Sequence, residues 1–438
     1  MMFRPGLALL FLSLAAACVA ALPPASAYNT DEAKVGSLPL PDPLQFADGS
    51  GVRTAAQWME KRRPELMELF AREMFGRTPL GRPPGMRWTV TSVDRAALGG
   101  KAVRKEVTLA FAEGPGSPQL HLLIYLPVPP VGVDRRSPAF LGLNFFGNQS
   151  VSADPGITVS KAWMRDNDEF KVVGNRATEG TRGVHASRWV IEQVVARGYA
   201  TVTAYYGDLC EDRPEGLAAG VAGWAGTGST EGRAPDAWGA IGVWAWGLSR
   251  AMDYLSSDPE IDASRVAVHG HSRLGKAALW AGAQDARFAL VISNDSGAGG
   301  AALAKRNFGE NVERLNLAFP HWFARAFRAY NGAEERLPFD SHTLIALMAP
   351  RPVYVASAVE DTWADPRGEF LATLHAEPVF ALLGRGGLGR SSPPEVDRPV
   401  HGDALAYHVR SGKHDITPYD WAQYLDFADR VLAPSRRP

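Results

Sequence analysis

Residues 265–283 read RVAVHGHSRLGKAALWAGA. The apolar run before Gly270 is typical of a buried strand, and the alanine-rich run at the end is typical of a helix. A Gly-x-Ser at such a junction indicates a nucleophile elbow, in which a tight turn between strand and helix exposes the serine hydroxyl. The usual second glycine is displaced by one position, because Leu274 stands two residues after Ser272. The sequence therefore predicts that Ser272 is a nucleophile and not only the N-cap of a helix.

Apolar runs on both sides of this junction predict the rest of a sheet, at 105–111, 121–127, 139–146, 200–205, 289–294, 352–358 and 406–411. The first two resemble antiparallel strands at the start of a sheet. Unbroken runs like the later ones suit strands buried on both faces of a parallel sheet. Helical patterns are predicted at 55–75, 236–254, 276–283 and 420–432. The alternation predicts a three-layer α/β fold, with a mostly parallel, doubly wound sheet, helices on both faces and loop insertions around the cleft.

A serine nucleophile needs a general base, and the chain has ten histidines. In this fold class the base lies on the loop between the last strand and the last helix, where Gly412-Lys413-His414-Asp415 stands. His414 is therefore the predicted base. His408, inside the predicted last strand, is the alternative. The two histidines that flank the elbow, His269 and His271, are predicted to be structural.

The acid that orients the base is expected to follow a strand after the elbow, in the chain order serine, acid, histidine. Asp361 follows the predicted strand 352–358, and Asp295 follows the predicted strand 289–294. Either carboxylate could reach an imidazole from the same edge of the sheet. The pattern favours Asp361 and leaves Asp295 as the alternative acid.

Composition narrows the class of protein. The chain has 438 residues, of which 46% are hydrophobic and 21% charged, with a net charge of −1. This balance excludes a disordered chain, a collagen-like repeat and a polytopic membrane protein, and the lack of a basic surplus disfavours nucleic-acid binding. There are two cysteines, Cys18 and Cys210, too few for a cysteine-based zinc site. Without repeats or long linkers, residues 28–438 are predicted to be one catalytic domain with an N-terminal helical extension.

The N-terminus has the pattern of a secretory signal peptide over residues 1–27. Arg4 precedes an apolar run at 7–21 that is too short to span a bilayer comfortably, and Ala25-Ser26-Ala27 is an A-x-A cleavage site. The competing interpretation is a lipoprotein anchored through Cys18, but the residues before that cysteine are alanines where a branched residue or leucine is expected. The prediction is a secreted or periplasmic protein without a membrane span.

Three motifs resemble the bacterial glucuronoyl esterases of carbohydrate esterase family fifteen. They are GHSRLGK at 270–276, SNDSGAGG at 293–300 and WADPRGE at 363–369. The resemblance covers almost the whole mature chain and implies an α/β-hydrolase fold. The first motif is specific, because ordinary lipases lack the arginine and lysine that follow the serine. Fungal members carry glutamate at the position of Asp295, and this departure again favours Asp361 as the acid.

The resemblance also implies residue roles. Ser272 would be the nucleophile and His414 the base, and Arg273 would lend its backbone N–H and guanidinium to the oxyanion hole. Lys276 would contact sugar hydroxyls, while Glu310 and Trp363 match positions where family members hold the uronic acid. Sequence spacing agrees for Lys276, which lies one helical turn after Ser272.

The implied activity is that of a serine carboxylic-ester hydrolase of the 4-O-methyl-glucuronoyl methylesterase type. It would act through an acyl-enzyme on esters of glucuronic acid, as in linkages between lignin and glucuronoxylan, with no cofactor or metal and as a monomer. Two alternatives remain open. One is an esterase of the same fold that removes acetyl groups from xylan or pectin, and the other is a catalytically silent carbohydrate-binding protein.

Overall fold

The computed structural model describes residues 28–36, 39–79, 81–114, 116–128, 136–228 and 232–433. The predicted signal peptide at 1–27 lies outside the described residues. The apolar runs form one ten-stranded sheet with the order β1-β2-β3-β5-β4-β6-β7-β8-β10-β9. The strands are β1 Arg87–Ala96, β2 Ala102–Ala110, β3 Gln119–Pro127, β4 Ser137–Asn144, β5 Ala200–Tyr205, β6 Ile261–His271, β7 Leu290–Asn294, β8 Val353–Ala358, β9 Val400–His401 and β10 Leu405–Arg410.

The sheet is mostly parallel, as predicted. The strands β5, β4, β6, β7, β8 and β10 run parallel to one another, whereas β1, β2 and β3 form an antiparallel extension and β9 pairs antiparallel with β10. Two strands were not predicted. β1 lies at an edge and is half-buried or exposed along its length, and β9 has only two residues, so neither produces an apolar run.

The helices lie between these strands. Their bounds are α1 Ala55–Gln57, α2 Arg63–Phe70, α3 Ala97–Gly100, α4 Ala186–Trp189, α5 Ile191–Ala196, α6 Gly216–Ala219, α7 Val221–Trp224, α8 Ala240–Leu255, α9 Arg273–Gln284, α10 Val312–Ala318, α11 Ser341–Ala346, α12 Pro366–Leu382 and α13 Pro418–Val431. The predicted N-terminal helix is continuous through π-helical turns at Trp58–Arg62 and Ala71–Phe75. Short 3-10 turns lie at Glu32–Lys34, Asn148–Val151, Glu179–Thr181, Tyr206–Asp208, Ala304–Arg306, Arg325–Tyr330 and Glu334–Arg336.

The helix predicted to start at Asp236 begins instead at Ala240, after the extended residue Gly239. Asp236 pairs with Arg77 at 2.7 Å. A side chain on Gly239 would lie 2.2 Å from the carbonyl oxygen of Trp322, so this entry to the helix requires glycine. The acidic residue is thus part of a surface contact that only the folded chain creates, and it does not start the helix.

Strand alternation divides the core into two layers. Leu141, Val268 and Val291 point to one face of the sheet and join the large core cluster that contains α8 and α9. Their neighbours Phe140 and Ala267 point to the other face and pack with Trp421 and Tyr424 of α13. Successive side chains of a strand point to opposite faces, so these unbroken apolar strands fill two helix layers at once. Across the described part of the chain, no helix is long and apolar enough to cross a bilayer.

Candidate active site

Ser272 lies in a sharp turn between β6 and α9. Its backbone has φ 57° and ψ −132°, a strained conformation for a residue with a side chain, and its amide donates to the carbonyl of Asn294 at 2.9 Å. A Cβ atom on Gly270 would lie 2.0 Å from the carbonyl oxygen of Leu274, so the turn requires glycine at that position. The Ser272 side chain makes no capping hydrogen bond to α9. This is the geometry of an elbow that leaves the hydroxyl free.

His414 and Asp361 meet at the same edge of the sheet, one after β10 and the other after β8. His414 Nδ1 lies 2.5 Å from Asp361 Oδ2. The imidazole is 40% exposed while the carboxylate is 4% exposed, so the contact is open on one side and covered on the other. Asp361 Oδ1 accepts from the amide of Ala364 at 3.3 Å, which fixes the carboxylate at the start of its turn. An imidazole held through Nδ1 in this way has Nε2 available for proton transfer.

Asp295 follows β7, as predicted, but it faces other partners. Its Oδ2 lies 3.5 Å from the Arg410 guanidinium and 3.4 Å from the amide of Asp415. Its Oδ1 makes no hydrogen bond with any described residue. Burial, together with the negative charges of Glu369 and Asp361, raises the pKa of Asp295 well above its ordinary value. Of the two predicted acids, Asp361 contacts the imidazole.

Ser272, Arg273 and His414 line one cleft with a volume of about 370 Å³. Its walls also include Phe145 after β4 and Phe319 after α10. These residues come from four separate parts of the chain, and the strand ends among them share the edge where α/β proteins bind ligands. The cleft therefore brings together a serine hydroxyl, an imidazole and a guanidinium.

Arg273 is anchored by a buried acid, Asp212. The guanidinium contacts the Asp212 carboxylate, whose Oδ1 also lies 2.8 Å from His321 Nε2 and accepts from Trp322 Nε1 at 2.8 Å. The Trp322 ring lies against the guanidinium, with 4.8 Å from Cζ to the ring centroid. Burial opposes the charge of Arg273, but Asp212, Tyr206 and Glu310 together outweigh burial and the pKa of the guanidinium is raised. A positive charge is thus held next to Ser272, where an oxyanion would form.

Lys276, Glu310 and Trp363 form a second connected group. Lys276 Nζ donates to the carbonyls of Ser296 and Ala298 at 2.6 and 2.7 Å and to Glu310 Oε2 at 2.8 Å. Trp363 Nε1 donates to Glu310 Oε1 at 3.2 Å. The lysine side chain is 3% exposed, and all three of its N–H bonds have protein acceptors. A direct contact from Lys276 to a sugar hydroxyl would therefore require one of these bonds to break.

Of the other histidines, His269 and His408 are buried and do not line the cleft, whereas His271 does line it. His269 is buried, and burial lowers its pKa to about 3. His271 Nδ1 contacts Asn294 Oδ1 at 2.6 Å, and its ring centroid lies 4.5 Å from that of His414. His408, the alternative base, is fully buried in β10, where its Nε2 lies 2.8 Å from Asp420. These surroundings hold His408 away from the cleft.

Among the described residues, one group has the ligand types and spacing that a metal ion needs. The ligand atoms of Asp295, Asp361 and His414 lie within 4.8 Å of one another. Two of the three groups, His414 and Asp361, are joined by a 2.5 Å hydrogen bond, which explains their closeness without an ion.

Several site residues were missed by the sequence analysis. Asp212 lies in an irregular acidic loop, and Trp322 follows a loop without a motif, so neither has a local signal. Tyr28 and Arg314 also join the site: the Tyr28 ring lies edge-on to Trp363, with centroids 5.2 Å apart. The Arg314 guanidinium lies 5.0 Å from the Trp363 ring centroid. Only the tertiary fold brings these side chains together.

Comparisons with known proteins agree with this geometry. A family model for the fungal glucuronyl esterases matches residues 233–384, the part that contains the elbow, Glu310 and Asp361. A carbohydrate esterase from an unknown prokaryotic organism is 48% identical over 408 residues, which is 92% of each chain.

Two solved structures are similar over most of the chain. A promiscuous CE15 esterase from a marine bacterial metagenome is 47% identical, with a TM-score of 0.86 over 92% of this chain and 100% of that one. A glucuronoyl esterase from Solibacter usitatus is 46% identical, with a TM-score of 0.84 over 92% of this chain and 100% of that one. The similarity thus extends over both the fold and the candidate site.

Proposed function

The chain belongs to carbohydrate esterase family fifteen, and we propose that it hydrolyses esters of glucuronic acid, as found between lignin and glucuronoxylan, through a serine acyl-enzyme. The observation that carries the proposal is the cleft in which Ser272 and Arg273 meet a histidine whose Nδ1 contacts Asp361. Nucleophile, base, orienting acid and oxyanion donor are the four parts that acyl transfer to serine needs.

The proposed reaction begins when His414 Nε2 takes the proton of the Ser272 hydroxyl, and Ser272 Oγ attacks the ester carbonyl carbon. Asp361 holds the imidazole by Nδ1 and stabilises the imidazolium that forms. The carbonyl oxygen becomes an oxyanion that the Arg273 backbone N–H and guanidinium stabilise. The intermediate collapses, the bond to the alcohol oxygen breaks, and the imidazolium gives its proton to that oxygen.

In the second half of the reaction, His414 takes a proton from water, and the hydroxide oxygen attacks the acyl carbon. The second tetrahedral intermediate collapses with cleavage of the bond to Ser272 Oγ, which takes the proton back from His414. The products are one alcohol and one free uronic acid. One water is consumed, and the enzyme returns to its starting state.

Recognition of the uronic acid is assigned to Glu310 and Trp363. A carboxylate accepts hydrogen bonds from sugar hydroxyls, and Glu310 is held in place by Lys276 at 2.8 Å and by the Trp363 indole at 3.2 Å. In this proposal Lys276 acts through Glu310, because its own donors are occupied. Sugar binding would add a hydroxyl donor to a carboxylate that is already oriented.

Other parts of the proposal concern the whole chain. We propose that residues 1–27 are a cleaved signal peptide, that residues 28–438 are one catalytic domain, and that the mature enzyme is a secreted or periplasmic monomer. N-terminal sequencing of the exported protein tests the first point, with Tyr28 expected as the first residue. Light scattering of the purified enzyme tests the oligomeric state.

The deciding experiment compares benzyl glucuronate with an acetylated xylo-oligomer as substrates. The acetylated substrate is included because the marine CE15 esterase, 47% identical to this chain, is promiscuous. We expect a kcat/KM that is clearly higher for the glucuronate. Ser272→Ala should lose about six orders of magnitude in kcat, while Ser391→Ala, in an exposed loop, should keep full activity. Faster release of acetate would favour the acetyl esterase alternative, and a fully active, folded Ser272→Ala would refute the mechanism.

A further inference from the structure

A second cavity, larger than the cleft, opens at the same edge of the sheet. Its volume is about 540 Å³, and it lies at the antiparallel side, against the start of β3 and the middle of β2. The other walls are the loop 158–163 and the chain that follows β5, at 207–220. No role in the reaction proposed above uses this cavity.

The cavity and the catalytic cleft are neighbours. Tyr205, at the end of β5, lines both. Elsewhere the two are lined by residues close together on the same segments: Trp163 faces the cavity and Arg165 the cleft, while Glu211 faces the cavity and Asp212 the cleft. A ligand longer than one sugar that enters the cleft would therefore extend towards the cavity.

The cavity has an aromatic wall of fixed orientation. Trp163 is half-buried, and the Arg213 guanidinium lies 4.6 Å from the centroid of its ring. The Tyr205 hydroxyl donates to the backbone carbonyl of Trp163 at 2.8 Å, which ties this loop to the end of β5. An indole held in this way offers apolar surface to the C–H face of a sugar ring.

Carboxyl groups and two cations surround the indole. Glu106, Asp208 and Glu211 line the cavity together with Lys161, and Glu211 pairs with Arg213, the cation that lies against the indole. The Glu106 carboxylate accepts two hydrogen bonds from Thr158, at 2.9 and 3.0 Å. Asp208 accepts from the amide of His121 at 3.2 Å, and burial raises its pKa to about 7. Carboxyl groups of this kind accept hydroxyl donors, and the lining has no surplus of positive charge that would attract a uronate or a sulfated sugar, so it suits a neutral sugar.

We propose that this cavity binds a neutral pyranose unit of the polysaccharide, with its ring against Trp163 and a hydroxyl on Asp208, while the esterified uronate occupies the cleft. The assignment rests on the proposed function, because it takes the two cavities as sites for one chain. The alternative occupant, the aromatic alcohol released from a lignin ester, would pack on the indole, Leu122 and Val159 but would offer fewer hydroxyl donors to the carboxyl groups than a sugar does, and it is an outcome of the test.

The test uses the full-length enzyme with Trp163→Ala and Asp208→Asn. Trp224→Ala is the matched control, since Trp224 is exposed and outside the cavity. The first measurement is calorimetric binding of unsubstituted xylotetraose, which carries no ester. We expect the wild type and the control to bind it, and Kd to rise about five- to tenfold in each cavity variant, as loss of one stacking or hydrogen-bonding contact predicts.

The second measurement is the ratio of kcat/KM for an ester-bearing glucuronoxylo-oligosaccharide to that for benzyl glucuronate. This ratio should fall about five- to tenfold in both cavity variants and stay unchanged in Trp224→Ala. Asp208→Asn keeps the acceptor for the His121 amide, so it provides a folded variant even if Trp163→Ala is unstable.

Each outcome decides the proposal. Three results would overturn it. The wild type does not bind xylotetraose, or the Kd values of all four proteins are equal, or a lignin-type alcohol competes with xylotetraose in the wild type and this competition is weaker in the cavity variants. If the wild type cleaves no glucuronate ester, the proposed function fails, while the binding measurement still supports or overturns the sugar site. If benzyl glucuronate is cleaved and the ratio does not change, only the sugar site fails.

Discussion

Two neighbouring groups of charged and polar residues, one in the cleft and one buried, differ in how much of their bonding capacity is free. The cleft group is Ser272, Arg273, Asp361 and His414, in which the imidazole is 40% exposed and the guanidinium 27% exposed. The buried group is Lys276, Asp295, Glu310 and Glu369, in which Lys276 is 3% exposed and Glu310 7% exposed. The first group can exchange bonds with a substrate, whereas the second is largely satisfied within the protein.

This difference separates chemistry from positioning. A group that takes part in proton transfer must be able to change partners during the reaction. A buried charge with several protein partners loses much free energy if one is removed, so it holds its neighbours in a single arrangement. We therefore expect changes in the cleft group to act on the rate, and changes in the buried group to act on specificity and stability.

The largest contrast is expected between the two predicted acids. Asp361→Asn should lower kcat by about four orders of magnitude, because the amide no longer holds the correct tautomer of His414. Asp295→Asn should cost less than about tenfold, since this residue contacts Arg410 and Asp415 and not the imidazole. Steady-state kinetics on benzyl glucuronate measure both. Similar mild losses would mean that the two carboxylates replace each other, and a larger loss at Asp295 would reverse the assignment.

The cleft group should also depend on Asp212, which lies behind Arg273. Asp212→Asn keeps an oxygen for Trp322 Nε1 but removes the charge that holds the guanidinium. We expect kcat to fall about ten- to a hundredfold, less than the loss of a whole oxyanion donor, with KM nearly constant. The exposed Asp403→Asn is the control. A change in KM alone would show that Asp212 helps to bind the sugar and does not position Arg273.

Glu310 and Lys276 test whether the buried group reads the sugar. Glu310→Gln should lower kcat/KM for benzyl glucuronate by about ten- to a hundredfold, the cost of one charged hydrogen bond, with little effect on a small aryl acetate. Lys276→Met should add a loss of stability of about 3–5 kcal/mol, since it leaves the Glu310 charge buried without its partner. Thermal melts and kinetics on both substrates measure these effects. Equal losses on both substrates would mean that the two residues support the fold or the catalytic groups.

The smallest effect on rate is expected at Glu369, which accepts from the amides of Ser296 and Gly297 at 2.7 and 3.0 Å. Burial raises its pKa to about 8. The folded state thus favours the protonated acid. The contribution of Glu369 to the free energy of unfolding is complete below the ordinary pKa of glutamate and is lost as pH rises through about 8.

Glu369→Gln removes this titration. Between pH 5 and 8, the wild type should lose stability relative to the variant by at most about 1.4 kcal/mol per pH unit, the limit for one proton. Chemical denaturation at several pH values measures the difference, with the exposed Glu395→Gln as control. Parallel pH profiles for the wild type and Glu369→Gln would contradict the assignment of a shifted carboxyl to this position.

The sequence predicted the parallel core of the fold well and its edges poorly. Central strands such as β5 are buried on both faces, so their residues form uninterrupted apolar runs that are visible without any tertiary information. The edge strand β1 is half-buried or exposed, and the entry to α8 is decided by the space that Trp322 leaves beside Gly239. Neither feature has a local pattern, because each depends on which element packs against it.

The sequence by itself determined where the groups of the site lie along the chain. Ser272 follows a buried strand, Asp361 and Asp295 follow two others, and His414 precedes the last helix, since parallel strands place their carboxyl ends at one edge. Only the tertiary structure decided which groups touch. It placed Asp361 and not Asp295 against His414, turned all three donors of Lys276 towards protein acceptors, and brought Asp212 behind Arg273. Which groups touch depends on loop paths and side-chain burial. A hydrogen bond forms only when donor and acceptor lie about 3 Å apart, and a sequence pattern does not fix the positions of side chains that closely.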